Sequence, residues 1–159
     1  MTKHTSGDGH NVKHLSMPKN TCFGCGNDNP EGMHLKFRFE GKQAVCDFTL
    51  PKRFQGPPGH SHGGIVATIL DEAMGKVNKL RNVIGLTKSM EITYMKPTPL
   101  GQPLTAVGWE SAVRGRKHYN RAEIRNAAGE VLAKSSGVFI AVDAAKMFAK
   151  YAQQAQVED

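Results

Sequence analysis

One segment decides what this chain can fold into: the run from Ile65 to Leu80. Ile65, Val66, Ile69, Leu70, Ala73, Met74, Val77 and Leu80 recur at helical spacing and form one broad apolar stripe. A helix patterned this way must lie on something apolar, and the alternating runs on either side of it supply a sheet. Upstream, residues 35–39 and 44–50 alternate around Glu40-Gly41-Lys42, a β-hairpin signature. Downstream, residues 90–95, 104–113, 119–125 and 131–142 alternate in turn, the last two separated by the turn residues Asn126-Ala127-Ala128-Gly129. Consecutive strands joined by short turns are antiparallel neighbours. The expected class is therefore α+β, a curved antiparallel β-sheet wrapped around one long central helix.

A chain of 159 residues is long enough for one domain with a proper core and too short for two ordinary ones. The expected organisation is a mobile polar N-terminal tail over 1–18, the sheet-and-helix domain over 19–143, and a C-terminal helix and tail over 144–159. His4, His10 and His14 fall in the first tail and are assigned no task. Hydrophobic content of 39% with 22% charged residues reads as a soluble globular protein, and no apolar run approaches the roughly 20 residues that span a bilayer. The N-terminus lacks the apolar core of a secretion signal, so the expected location is cytoplasmic, with no membrane partner.

A net charge of +7 favours anionic partners. Its one compact basic group is Arg114, Arg116, Lys117 and His118, and no aromatics interleave with it as an RNA-stacking platform requires. A nucleotide-bearing small molecule fits better than nucleic acid. Three cysteines argue against a disulfide framework. Cys22-Phe23-Gly24-Cys25 has the spacing of a zinc half-site or a redox pair, but Cys46 and His34 offer no second close pair, so the segment is read as a turn, with no metal and no cofactor.

The chemistry concentrates where the helix begins. His62-Gly63-Gly64 leads directly into it, and first-turn N–H groups without intrahelical partners, at the positive end of the helix dipole, can hold an oxyanion. Gly63 and Gly64 have no side chains to keep a carbonyl away. His62 is read as a cap or positioning residue. On the side opposite the apolar stripe, Ala67, Asp71, Gly75 and Asn78 align, so the Asp71 carboxylate stands among small residues where another chain or a flat ligand can pack. Glu72 points to a different face and is read as an ion-pair partner; His60 is read as structural or exposed. Gly63 and Asp71 lie about 12 Å apart on one helix, whereas a reacting carbonyl must be about 3 Å from both its donors and its attacking group. The expected site is shared between two subunits across a two-fold axis. A serine hydrolase is excluded by the lack of a Gly-x-Ser-x-Gly elbow, and Cys46, within a strand, makes a poor nucleophile.

The run from Phe54 through His60-Ser61-His62-Gly63-Gly64, the nine-residue step from His62 to Asp71, and Ile92-Thr93-Tyr94-Met95-Lys96-Pro97 resemble the hotdog-fold acyl-CoA thioesterases of the PaaI type. Cys22-Phe23-Gly24-Cys25-Gly26 with Asn29-Pro30 and Gly32 is similar to members of the same group. The resemblance covers roughly residues 20–142. It implies a hotdog domain, metal-free hydrolysis of an acyl-CoA thioester, and homodimers, often paired into tetramers. By the same resemblance Asp71 activates water or attacks directly, the Gly63 N–H polarises the carbonyl, His62 fixes the loop and Thr87 orients water. Many relatives carry Asn or Gln in the loop before the helix, where this chain offers Gln55, followed by Gly56. Arg114, Arg116 and Lys117 lie where similar proteins ground CoA phosphates, the alternative being a solvated hairpin turn. A rival reading keeps the fold without the chemistry: a non-catalytic acyl-CoA-binding or sensor module. The acyl group is not determined by these residues.

Overall fold

The computed structural model describes residues 19–154. The tail expected over 1–18 lies outside the described residues, as do residues 155–159. Strands β1 (Arg38–Glu40) and β2 (Gln43–Phe48) precede helix α1 (Gly63–Val77); β3 (Ile84–Tyr94), β4 (Leu104–Arg114), β5 (Lys117–Asn126) and β6 (Val131–Val142) follow it, and α2 (Ala144–Gln154) closes the described chain. The six strands form one sheet in the order β1-β2-β4-β5-β6-β3, every neighbour antiparallel. Two strands, one long helix and four strands is the order the alternation predicts. Among the described residues no helix is long and apolar enough to cross a membrane.

The apolar stripe of α1 is the centre of the core. Val66, Ile69, Leu70, Ala73, Met74 and Val77 are buried, the first five packed in one cluster with Ala106, Ala122, Ile124, Ala133 and Phe139 from the sheet. The helix sits so close to β4 that a Cβ built at Gly108 would run into the Ala73 carbonyl oxygen. Only a residue without a side chain lets the backbones meet there.

The structure departs from the sequence reading in four places. β1 is only three residues long: His34 takes a left-handed conformation (φ 53°), and Leu35, buried in the core, donates its N–H to the Gly24 carbonyl at 2.9 Å instead of continuing a hairpin. β3 begins at Ile84, well before the alternation at Met90, because a bulge between Thr87 and Ser89 breaks the period of two. Helix α1 gives way after Val77 to a 3-10 turn over Asn78–Arg81, which leaves Leu80 42% exposed and off the stripe. Asn78, expected on the open side, is 2% exposed: the Asn120 amide donates to its Oδ1 at 2.8 Å and to the Met74 carbonyl at 2.9 Å. The side opposite the stripe is thus partly roofed by the sheet, with the Phe139 ring beside Gly75.

Gly108→Ala is expected to force α1 off β4 and lower the unfolding free energy by at least about 1–3 kcal/mol, the usual cost of overpacking. Chemical denaturation of the two proteins reads this directly.

Candidate active site

The start of α1 is organised by groups that leave one N–H unengaged. His62 is the N-cap in extended conformation (φ −60°, ψ 140°), and its Nδ1 accepts from the Gly64 N–H at 2.9 Å. Its own N–H donates to the Phe54 carbonyl at 2.9 Å. From β3, the Tyr94 hydroxyl donates to the Gly63 carbonyl at 2.8 Å. The Gly63 N–H finds no acceptor among the described residues. Two turns further along, the Thr87 hydroxyl of β3 donates to Asp71 Oδ1 at 2.6 Å. Asp71 and Thr87 line an open cleft of about 290 Å³ between α1 and β3, whose wall includes Gly75, Gly85, Leu86 and Phe139.

The bulge explains how one strand reaches two points of the helix. Thr87 and Tyr94 are an odd number of residues apart and would face opposite sides of a regular strand. With the extra residue Lys88 inserted, Thr87 stands opposite Phe139 and Tyr94 opposite Ala133, an even separation on β6. Both side chains therefore point to the helix face, together with Met90 and Ile92, which pack on the core.

Burial is the largest influence on Asp71 and pushes its carboxyl above the ordinary 3.8; the Thr87 hydrogen bond opposes the rise, and the neighbouring Glu72 charge adds to it. The carboxylate is half-buried and anchored at one oxygen, which suits it to accept a proton.

The other expected positions are scattered. Gln55 sits in the loop before α1, where its Oε1 accepts from the Gly59 N–H at 3.2 Å, so its side chain closes its own loop. His60, in the same loop, contacts the Pro58 carbonyl through Nδ1 at 2.9 Å. Arg114, Arg116 and Lys117 are exposed at the β4–β5 hairpin tip. The Arg114 guanidinium lies 5.8 Å from the Tyr119 ring centroid, and Arg116 Nε donates to the Ala141 carbonyl at 3.2 Å. His118 does not join them: it is 4% exposed, and burial lowers its pKa from 6.5. Glu72 pairs with Lys76 at 3.8 Å, as expected of an i, i+4 contact. Tyr94 is the residue that sequence reading passed over, although it stands within the strand segment that precedes Lys96-Pro97.

With this geometry in view, comparison with known proteins becomes specific. A family model of the thioesterase superfamily matches residues 58–133, which include all of α1 and β3. Over this segment the chain is similar to members of that superfamily. The acyl-coenzyme A thioesterase THEM4 of Rattus norvegicus is 30% identical over 103 residues, covering 64% of this chain and 44% of the rat protein. The chain spans under half the length of the THEM4 proteins it matches. The crystal structure of a thioesterase superfamily protein, 34% identical, aligns with a TM-score of 0.66 over 69% of this chain and 55% of that one. The PaaI protein of E. coli, from the phenylacetic acid degradation operon, aligns at 17% identity with a TM-score of 0.63 over 68% and 79% of the two chains. The six-stranded sheet around one helix is the hotdog fold.

The raised Asp71 pKa has a consequence for stability. A carboxyl that holds its proton more tightly when folded makes the native state lose stability as pH rises through the interval above 3.8. Asp71→Asn keeps the acceptor for Thr87 and removes that loss. The variant is expected to melt higher than the parent at neutral pH, on the order of a degree or two, with the gap closing as pH falls towards 4. Thermal melts across a pH series test this.

Proposed function

We propose that this protein hydrolyses acyl-CoA thioesters at a site shared by two copies of the chain. The observation that carries the reading is the Asp71 carboxylate, half-buried and held by Thr87 at 2.6 Å, on the same helix that opens with the unengaged Gly63 N–H. The carboxylate and this amide are about 12 Å apart along one helix, too far to act on the same carbonyl. A second copy related by a two-fold axis brings the Gly63 end of one helix to the Asp71 of the other. The long outer edge of β3 supports such pairing, since this eleven-residue strand ends the sheet and has no partner on its outer side among the described residues. The name of the rat relative supports the substrate class.

In this reading the thioester carbonyl oxygen accepts from the Gly63 N–H, with the adjacent Gly64 leaving room for the approach. Asp71 takes a proton from water oriented beside Thr87, and the resulting hydroxide attacks the carbonyl carbon. The tetrahedral intermediate collapses, the carbon–sulfur bond breaks, and CoA leaves as a thiolate that picks up a proton; the product is the free acid. No charged side chain is needed at the oxyanion, because the amide sits at the positive end of α1. His62 and Tyr94 fix the Gly63–Gly64 peptide that follows this amide, His62 at the peptide N–H and Tyr94 at the peptide carbonyl. Arg114, Arg116 and Lys117, exposed at the hairpin tip, supply donors for the CoA phosphates, and guanidinium forks suit phosphate oxygens. Gln55 steadies the loop that enters the site.

A panel of acyl-CoAs with a thiol reagent to capture released CoA tests the proposal; saturable binding without CoA release would make the protein a non-catalytic module instead. Asp71→Asn is expected to lower kcat by about 100-fold or more with assembly unchanged. Thr87→Val removes the interaction that holds the Asp71 pKa down, so the acid limb of the kcat/KM profile, already above 3.8, is expected to move to still higher pH. An unmoved limb would show that Asp71 is not the titrating base. Replacing Arg114 and Arg116 by Ala is expected to raise KM for CoA esters about tenfold while sparing thioesters that lack the nucleotide; equal effects on both would remove the phosphate role.

A further inference from the structure

The Cys22–Cys25 turn has no part in the reaction described above, yet the fold brings it onto α1. Three of its carbonyls are engaged: Gly26 N–H donates to Cys22 at 2.9 Å, Met33 N–H to Phe23 at 2.8 Å and Leu35 N–H to Gly24 at 2.9 Å. Two glycines let the turn pack closely, and at Gly26 the obstacle to a side chain is backbone. A Cβ at Gly24 would lie 2.5 Å from the Glu72 side chain, and one at Gly26 would lie 2.5 Å from the backbone of Asn20 and Cys22. The turn is thus wound tightly and seated directly on Glu72. Cys22 Sγ is 3.5 Å from Glu72 Oε1, and the two sulfurs and a Glu72 oxygen all lie within 4.8 Å of one another. Lys76, one turn along the helix, donates to Cys25 Sγ at 3.0 Å and lies 3.8 Å from Glu72 Oε2.

We propose that Cys22, Cys25 and Glu72 form a binding site for a thiophilic divalent cation of the zinc class. Two thiolates and a carboxylate are a zinc donor set, and a solvent molecule completes four-coordination on the side where Cys22 is exposed. In a tetrahedral site the sulfurs stand about 3.8 Å apart, from zinc–sulfur bonds of about 2.3 Å. The side chains therefore need to close by no more than about 1 Å. Charge balances as well. Binding expels one proton from each thiol, so the metal's two positive charges are met by two new thiolates, while the Glu72 charge remains offset by Lys76; no electron moves. Sequence spacing alone supplied half of this site, because the third ligand comes from a helix fifty residues away. The metal would tie the N-terminal turn to α1 next to the Asp71 cleft, and the inference stands independently of the thioesterase reading.

Cobalt substitution tests it. The full-length protein, reduced and stripped with a chelator, is titrated with Co²⁺ while the near-ultraviolet thiolate-to-cobalt charge-transfer band is followed. One equivalent is expected to develop the band, Zn²⁺ to displace it, and Zn²⁺ to raise Tm. Cys25→Ser is expected to abolish the band, and Glu72→Gln, which keeps both thiols and the fold, to weaken Co²⁺ binding tenfold or more. A reduced protein whose thiols react freely yet gives no band would overturn the proposal. So would a band that persists in Cys25→Ser, or unchanged affinity in Glu72→Gln; cysteines isolated as a disulfide that takes up no cobalt after reduction would make the turn a redox pair instead.

Discussion

Everything in this fold depends on burying one stripe of one helix. Six side chains of α1 are nearly solvent-free, and at about 1.5–3 kcal/mol for each large aliphatic group they dominate what holds the sheet in its curve. The consequence for the rest of the helix is geometric. A rod held along one face by a curved sheet has its N-terminus, its opposite side and its C-terminal turn placed without further choice. His62, Asp71 and Asn78 each take their environment from that placement. Asn78 goes inside, where it bonds to Asn120; Asp71 is left at the rim, half-covered and beside Thr87.

β3 converts that placement into a site. It touches the helix at both ends of the reactive stretch, through Tyr94 at the first turn and Thr87 near the middle. This double contact exists only because one residue is inserted between them. The bulge spends a ladder position to turn Thr87 towards the carboxylate. Strand regularity and site geometry conflict here, and the site prevails.

Legibility from sequence follows the range of the forces involved. The element order, the apolar stripe and β6 over Val131–Val142 could be read because periodicity is local. The N-cap role of His62 followed from a helix start with two glycines. What escaped notice was set by partners distant in sequence. The bulge at Lys88 shows only when β6 is alongside, Leu35 leaves its hairpin for the core, and Asn78 turns inward towards an amide on β5. The Asp71–Thr87 pair came from likeness to a family rather than from spacing, and Tyr94 was visible as a residue but not as a contact.

The two borders of the sheet differ in kind. One ends in β1, three exposed residues in which Arg38 is bound to Glu40 at 2.9 Å and to Asp47 at 2.8 Å; the other is the eleven-residue β3. A charged stub makes a poor template for a further strand, whereas a long border is a good one. Two like borders that meet consume each other, so a sheet of this design can double once and then has nothing left to grow from. Asymmetry between its ends is thus a built-in safeguard against running on into fibres.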